Sequence, residues 1–218
     1  MRKIETGAFL AQDVHAETLP AINRPCARGI KRLMDVVMAL LMILFIAPWL
    51  FTLAIIVIML DSKGSPFFLQ KRTGRNLTTF YCLKFRTMVI NKDSHRIQVQ
   101  VNDRRITRVG KFLRKYHIDE LPQVFNVLIG SMSIVGPRPH MLRQNVQFSK
   151  LSNDYNIRHV IKPGMTGLAQ VRGFHGMIGN SEDYHSRLNS DLEYIQTWNL
   201  FTDIRIFIQT TFQILFQR

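Results

Sequence analysis

The sequence predicts a mostly helical α+β fold, with an N-terminal kinked re-entrant membrane helix and a C-terminal amphipathic helix. Three observations predict it. An uncharged run extends from Val36 to Leu60, residues 80–89 alternate apolar and polar side chains as a strand does, and the apolar segment 200–216 is interrupted by polar residues. With 218 residues, the chain is also long enough to bury a substantial core.

The uncharged run is the first of these elements. Its 25 residues match the length that a helix needs to lie within a bilayer. Pro48 lies in the middle of the run, removes one backbone hydrogen bond and therefore predicts a kink. Basic residues flank both ends, and the positive-inside rule draws both flanks to the cytoplasmic side. A helix that enters and leaves on the same face satisfies both, and a single pass is the alternative.

These features divide the chain into three regions. Residues 1–30 form a polar N-terminal arm, residues 31–62 the re-entrant membrane helix, and residues 63–218 a globular domain. The two cysteines show neither metal-ligand spacing nor a disulfide framework, which is typical of a reducing compartment.

The charge balance predicts an anionic partner. Lys and Arg number 29 against 15 Asp and Glu, for a net charge of +14. Nucleic acid, anionic lipid headgroups and a phosphorylated substrate all suit such a surface. No nucleic-acid motif is present, however, and the basic residues are spread through loops, so we do not expect nucleic acid as a partner.

The globular domain begins with basic segments. Residues 64–76 are rich in turn formers and basic side chains, which suits a loop near lipid headgroups. In the strand at 80–89, Lys84 and Arg86 share one face, as in a phosphate-binding strand or a solvated edge. Residues 93–105 are polar and predict a connection, and 108–116 predict a short basic helix.

An acidic pair follows this helix. Asp119 and Glu120 are the only carboxylates between Arg104 and Asn153, an interval that holds nine Lys and Arg. The pattern resembles a helix start, with Asp119 as the cap, Glu120 at the positive end of the dipole and Pro122 in the first turn. At this point the pair is either a helix cap or part of a reactive site.

The remaining elements are predicted from periodicity and from glycine and proline. Residues 121–129 predict an apolar helix that ends at Gly130, and 131–136 a short buried strand. The sequence Pro137-Arg138-Pro139 predicts a stiff extended segment, either a mount for one guanidinium that binds phosphate or a rigid turn.

The C-terminal third is predicted to be largely helical. Residues 141–161 predict a helix, 162–176 a glycine-rich loop whose backbone can approach a ligand, and 184–198 a polar helix. The amphipathic helix at 200–216 either lies in the membrane interface or packs on the globular core.

Several motifs together resemble the bacterial sugar transferases, the monotopic polyprenol-phosphate phosphoglycosyltransferase family, over about residues 29–216. The matching motifs are Lys-Arg-Leu-Met-Asp at 31–35, Lys-Phe-Arg-Thr-Met at 84–88, the basic segment 105–114, Asp-Glu-Leu-Pro-Gln at 119–123, Gly-Pro-Arg-Pro at 136–139 and the glycine-rich segment 162–171.

The resemblance implies a membrane-associated catalytic domain that transfers a sugar 1-phosphate from a UDP-sugar to undecaprenyl phosphate and releases UMP. It implies that Asp119 is the nucleophile, which forms a phosphosugar-aspartyl intermediate, and that Glu120 is a magnesium ligand or general base, with Mg²⁺ held by this pair. The residues expected to bind the phosphates or the nucleotide are Lys84, Arg86, Arg114, Pro137, Arg138 and Pro139. The family's helix break is usually Ser-Pro, whereas here it is Ala47-Pro48.

The resemblance also implies a location and a pathway. The expected place is the bacterial cytoplasmic membrane, with the catalytic domain on the cytoplasmic face. Residues 164–173 and 191–195 are most similar to members that begin exopolysaccharide or capsule synthesis with glucose or galactose. One alternative is the same chemistry on an N-acetylated or amino sugar. Another is a non-catalytic membrane-anchored basic binding module.

Overall fold

The structure is a computed structural model that describes residues 24–90, 103–174 and 180–216. The mostly helical α+β prediction is confirmed. Most of the N-terminal arm and of the predicted connection at 93–105 lie outside the described residues. Eight α-helices and four short strands occur in the described part: α1 (Pro25–Phe45), α2 (Ala47–Asp61), β1 (Phe67–Thr73), β2 (Thr79–Phe85), α3 (Arg108–Lys115), α4 (Gln123–Leu128), β3 (Ser133–Val135), α5 (Leu142–Phe148), β4 (Gly164–Thr166), α6 (Leu168–Val171), α7 (Ser181–Thr197) and α8 (Leu200–Phe216).

The uncharged run forms two helices with a sharp bend between them. α1 and α2 meet at 63°, and Pro48 lies in the first turn of α2, where its missing N–H costs no helical hydrogen bond. Among the described helices, none alone is both long and apolar enough to cross a membrane. The bent pair together meets the length and composition required.

Strands β1 and β2 form an antiparallel hairpin in which Phe67 pairs with Phe85 and Thr73 with Thr79. Strand β2 confirms the first part of the strand predicted at 80–89. The prediction of a turn-rich loop at 64–76 is wrong for its central part, because residues 67–73 pair along their whole length with β2. Phe85 packs edge-on against Phe51 of α2, which joins the hairpin to the bent helix pair.

The second sheet is a parallel pair of β3 and β4 at the centre of the domain. All three residues of β3 are buried, as predicted for this segment. The glycine-rich loop was expected to approach a ligand, but Gly164 instead allows two backbones to approach. A Cβ at Gly164 would lie 2.1 Å from the backbone nitrogen of Gly136. Glycine is therefore required here for strand packing.

The helices after the second sheet largely follow the predictions. Helices α7 and α8 confirm the polar helix predicted at 184–198 and the helix predicted at 200–216. A continuous helix at 141–161 is wrong. The chain there forms α5 and a separate 3₁₀ helix, Asn153–Val160, whose N-cap Ser152 has an extended backbone that breaks the helical path.

Helix α8 combines the two arrangements considered for it. Asp203 and Ile206 are buried on the core, and Asp203 accepts hydrogen bonds from Lys31, Tyr194 and Trp198. Its other face leaves a row of large apolar side chains exposed, namely Phe201, Ile204, Ile208, Phe212, Leu215 and Phe216.

Candidate active site

The acidic pair lies in a tight turn between α3 and α4. Helix α3 begins at the N-cap Thr107, whose hydroxyl accepts a hydrogen bond from the backbone N–H of Gly110. His117 ends the helix in the left-handed conformation, at φ 54°, which is uncommon for a residue with a side chain. The chain then makes one 3₁₀ turn, Ile118–Glu120, and this turn positions both carboxylates.

The prediction that Asp119 caps a helix is wrong. Helix α4 begins later, at Gln123, its N-cap is Pro122, and no side chain caps it. Asp119 instead lies inside the 3₁₀ turn that precedes α4. Its carboxylate is therefore not occupied by the backbone of the following helix.

Glu120 binds two cations from different parts of the fold. Lys84 of β2 donates a 2.6 Å hydrogen bond to Oε1, and Arg138 donates a 2.8 Å hydrogen bond to Oε2 and a second bond to Oε1. Burial alone would raise the pKa of Glu120, but its ion pairs with Arg138 and Lys84 hold that pKa well below the usual range. Glu120 is thus a permanent anion that positions two cations.

The carboxylate of Asp119 differs from that of Glu120 in its hydrogen bonds and in its pKa. Its side chain is buried, and it accepts no hydrogen bond from the residues that the structure describes. Burial, followed by repulsion from Glu120, raises the pKa of Asp119 to about 6, although Lys84, Arg114 and Arg138 oppose this shift. At neutral pH, Asp119 is therefore an ionised and unengaged carboxylate near three cations.

The segment that carries Arg138 is fixed by its backbone. The three carbonyls of residues 137–139 each accept a hydrogen bond from another part of the chain. The donors, in order, are the backbone N–H of Gly164 (3.0 Å), Nη2 of Arg158 (2.8 Å) and Nη1 of Arg72 (3.0 Å). Both prolines also restrict the backbone dihedral angles. Residues 137–139 are therefore a constrained segment that carries Arg138, and we call this segment the mount.

Arg158 and Asp191 form a buried ion pair behind this mount. Nε and Nη2 of Arg158 donate hydrogen bonds of 3.1 and 2.7 Å to Oδ2 of Asp191, and both side chains are only 2% exposed. Arg72 and Arg158 were not predicted from the sequence to belong to the site. No local signal marks them, because their partners at the mount lie 67 and 20 residues away along the chain.

The structure brings most of the predicted site residues together. Lys84, Arg114 and Arg138 surround the acidic pair, and Nε of Arg114 donates a 2.7 Å hydrogen bond to the hydroxyl of Thr87. Arg86 lies elsewhere. Its guanidinium donates 2.6 Å hydrogen bonds to the carbonyls of Ser62 and Lys63, the two residues that follow α2.

The donor set limits how the acidic pair could hold Mg²⁺. Within the described ranges, no group of three or more His, Cys, Asp or Glu side chains is arranged to bind a metal. Mg²⁺, however, commonly takes only one or two carboxylates together with substrate phosphates and water. Asp119 offers unengaged oxygens that fit this role. Both oxygens of Glu120 are already paired with Lys84 and Arg138.

Comparison with known proteins places this arrangement in a family. The family model described as "Bacterial sugar transferase" matches residues 26–217. A UDP-glucose:undecaprenyl-phosphate glucose-1-phosphate transferase of Xanthomonas campestris pv. campestris is 45% identical over 86% of this chain and 39% of its own length. An exopolysaccharide production protein of Rhizobium leguminosarum bv. phaseoli is 40% identical over 83% of this chain and 92% of its own.

A third relative acts on a different sugar. The UDP-N-acetylgalactosamine-undecaprenyl-phosphate N-acetylgalactosaminephosphotransferase of Aeromonas hydrophila is 38% identical over 96% of this chain and 49% of its own length. The chain spans about two fifths of the length of three related UDP-glucose:undecaprenyl-phosphate glucose-1-phosphate transferases. The family match covers nearly all of the described residues, and the chain therefore belongs to the bacterial sugar transferase family.

Proposed function

We propose that this protein transfers a sugar 1-phosphate from a UDP-sugar to undecaprenyl phosphate and releases UMP. The observation that carries the proposal is the contrast within the acidic pair. Glu120 is neutralised by Lys84 and Arg138, whereas its neighbour Asp119 is unengaged among the same cations. The names of the relatives support the donor and the acceptor.

In the first step, a carboxylate oxygen of Asp119 attacks the sugar-bearing phosphorus of the UDP-sugar. The bond from that phosphorus to the oxygen of the uridine 5′-phosphate breaks, and UMP leaves with the bonding electrons. A phosphosugar-aspartyl intermediate remains. In the second step, a phosphate oxygen of the polyprenol attacks the same phosphorus, the bond to Asp119 breaks, and the carboxylate is regenerated.

The cations supply the electrostatic stabilisation that phosphoryl transfer needs. Arg138 and Lys84 are fixed by Glu120 before any substrate binds, and Arg114 is fixed by Thr87. Prepositioned charges of this kind stabilise a transition state without reorganisation during the reaction. We assign Glu120 the role of positioning these cations, in place of the magnesium ligand or general base implied by the family resemblance.

The proposal includes Mg²⁺ held by Asp119 together with the substrate phosphates. When bound, the ion would offset the repulsion between a carboxylate nucleophile and a diphosphate. Glu120 would become a ligand only by releasing Lys84 or Arg138, so we assign the metal mainly to Asp119.

We further propose that the bent helix pair enters the cytoplasmic membrane from its cytoplasmic face and leaves on the same face. The exposed apolar side chains support this placement, since Trp49 and Leu60 of α2 and Phe201 of α8 are 80, 82 and 74% exposed. Residues 63–218 would then lie on the cytoplasmic side. There they would meet the headgroup of a lipid-linked acceptor.

The names of the UDP-glucose-dependent relatives favour glucose as the donor sugar. The name of the Rhizobium relative suggests exopolysaccharide synthesis as the pathway. The Aeromonas relative keeps N-acetylgalactosamine as a second candidate. A panel of UDP-sugars assayed for UMP release with undecaprenyl phosphate distinguishes the two. A donor preference for UDP-N-acetylgalactosamine would replace the glucose assignment.

The nucleophile is tested with Asp119→Asn and the matched control Asp154→Asn, which changes an exposed carboxylate. We expect Asp119→Asn to abolish UMP release while binding to membranes is retained, and Asp154→Asn to preserve both. Mass spectrometry of the wild-type protein with UDP-glucose alone should detect a phosphosugar adduct on Asp119. Undiminished UMP release by Asp119→Asn would remove the assignment.

A further inference from the structure

A second cluster of cations surrounds a small cavity at the base of α1. The cavity has a volume of about 120 Å³ and lies between α1, β3 and residues 160–162. Its charged lining consists of Arg28, Lys31, Arg32, Arg75 and Lys162, with Asp35 as the one carboxylate. These cations come from three separate parts of the chain, so the fold, not local sequence, assembles them.

Helical periodicity directs the N-terminal members toward the cavity. Arg28, Arg32 and Asp35 are separated by four and three residues and therefore lie on one face of α1. Arg28 lies in the first turn of that helix, where the positive end of the helix dipole disfavours a cation. An anion in the cavity would relieve this repulsion.

Some of these cations are already engaged. Lys31 forms a 2.7 Å ion pair with the buried Asp203. Arg32 donates 2.6 Å hydrogen bonds to the carbonyls of Val127 and Leu128 at the end of α4. These contacts fix the side chains, but the carbonyls do not neutralise the charge of Arg32.

The other cations have little or no compensation. Nε of Arg75 donates a 3.1 Å hydrogen bond to the carbonyl of Val160, and the structure gives Arg75 no acidic partner among the described residues. The side chains of Arg28 and Lys162 make no hydrogen bond or ion pair with any residue in the described ranges. Burial and then repulsion from Arg32 lower the pKa of Lys162. The cavity therefore carries a surplus of positive charge.

Size and position separate this cavity from the active site. Lys84, Arg114, Asp119, Glu120 and Arg138 are absent from its lining. A volume of about 120 Å³ is well below the roughly 300–1,000 Å³ typical of pockets for larger ligands. A nucleotide sugar therefore does not fit, whereas a single phosphate group does.

We propose that this cavity binds a phosphate group, as an anion site distinct from the one around Asp119 and Glu120. The phosphate could belong to an anionic lipid headgroup or be free in solution. The cavity lies beside the last charged turn of α1 before the uncharged run at Val36, which is where a headgroup would be found. Binding of a lipid headgroup requires the membrane insertion that we propose above. Binding of free phosphate does not require it.

The test measures the titration of the Lys162 side chain in the full chain. Lysines are ¹³C-methylated by reductive methylation, and the resonances of Lys162 and of the exposed control Lys150 are assigned with Lys→Arg variants. Each is titrated in chloride, in inorganic phosphate at equal ionic strength, and in nanodiscs of phosphatidylglycerol or phosphatidylcholine. We expect bound phosphate to raise the pKa of Lys162 by about 0.5 unit or more and to leave Lys150 unchanged.

The solution and nanodisc conditions compared in this titration identify where the bound phosphate comes from. A shift of Lys162 with inorganic phosphate supports a site for free phosphate, and a shift only with phosphatidylglycerol supports a headgroup site. Equal shifts of Lys162 and Lys150, or no shift of Lys162 in any arm, would overturn the proposal. Because no turnover is needed, the result is independent of whether the protein transfers sugar phosphate.

A second measurement uses paired variants. Lys162→Gln and Lys150→Gln remove one lysine charge each, so non-specific attraction to anionic lipid falls equally in both. If the lipid arm is positive, Lys162→Gln should weaken binding to phosphatidylglycerol nanodiscs by about fivefold more than Lys150→Gln, corresponding to about 1 kcal/mol. If only inorganic phosphate shifts the pKa of Lys162, the binding of inorganic phosphate to the two variants is compared by calorimetry instead. Equal affinities of the two variants would contradict the proposal.

Discussion

Arg158 donates a 2.8 Å hydrogen bond to the backbone carbonyl of Arg138, the residue whose guanidinium binds Glu120. Through this bond, the buried pair of Arg158 and Asp191 supports the active site without contacting the acidic pair itself. The backbone of Arg138 is thus bound by a member of an ion pair that joins the 3₁₀ helix at 153–160 to α7.

Asp191→Asn tests this support, with Glu193→Gln on the same helix as the matched control. Removing one partner of a buried pair leaves the charge of Arg158 uncompensated and should cost about 3 kcal/mol in the free energy of unfolding. The pair of Glu193 with Arg172 is 47 and 41% exposed, so its loss should cost less than about 1 kcal/mol. Chemical denaturation in detergent micelles measures both, and equal costs would contradict the prediction.

The same pair of variants reports on catalysis. Because Arg138 loses part of its mount, Asp191→Asn should lower the rate of UMP release by at least about tenfold under conditions where the variant is still folded. Glu193→Gln should retain the wild-type rate. Wild-type turnover by folded Asp191→Asn would show that the mount does not depend on this ion pair.

The sequence was most informative where a signal is local. The polar helix and the C-terminal helix were predicted correctly because helical periodicity acts over a few residues. The long uncharged run with Pro48 likewise predicted a bend, which is 63° in the structure. The motifs of the family resemblance identified Lys84, Arg114 and Arg138 as candidate phosphate-binding residues, and the structure places all three beside the acidic pair.

The errors arose where distant contacts decide the outcome. Residues 67–73 form a strand because β2 pairs with them, and the helix-cap prediction failed because His117 places Asp119 in a separate 3₁₀ turn. Arg86 shares a motif with Lys84, but the carbonyls at the end of α2 bind its guanidinium. In each case the competing partner is distant in sequence or depends on one backbone angle.

Gly164→Ala should destabilise the fold strongly. Its Cβ would lie 2.1 Å from the backbone nitrogen of Gly136 and 2.4 Å from the carbonyl of Thr166, and backbone atoms cannot move aside as a flexible side chain can. We expect a cost of at least about 3 kcal/mol, or no folded protein. In the control Gly29→Ala, nothing lies within 4 Å of the new Cβ, and the helix should gain about 0.5–1 kcal/mol. Thermal unfolding followed by circular dichroism compares them.

Asp119→Asn should stabilise the protein at neutral pH. The folded-state pKa of Asp119, about 6, lies above the unfolded value near 3.9, so ionisation of Asp119 lowers stability progressively as pH rises from about 4 to about 6, and the cost is complete above about 6. The amide carries no such cost, and we expect a gain of about 2 kcal/mol at pH 7.5 that disappears below about pH 4. The exposed Asp154→Asn should show no comparable pH-dependent gain. Lower stability of Asp119→Asn at pH 7.5 would refute the argument.

The pH dependence of activity should be governed by Asp119. If its ionised form is the nucleophile, kcat/KM for UDP-glucose falls as pH decreases through about 6. Glu120→Gln removes the repulsion that contributes to this raised pKa, and Arg138 and Lys84 are then no longer neutralised beside Asp119. Both effects lower the pKa of Asp119, so the acid limb should move to lower pH.

The maximal rate of Glu120→Gln should also fall, by about 10–100-fold, because Arg138 and Lys84 lose the carboxylate that positions them. Glu193→Gln serves again as the control and should leave both the rate and the acid limb unchanged. A rate profile measured from pH 5 to 8 separates the two effects. An acid limb that stays in place, or moves to higher pH, in Glu120→Gln would show that Asp119 is not the group that titrates.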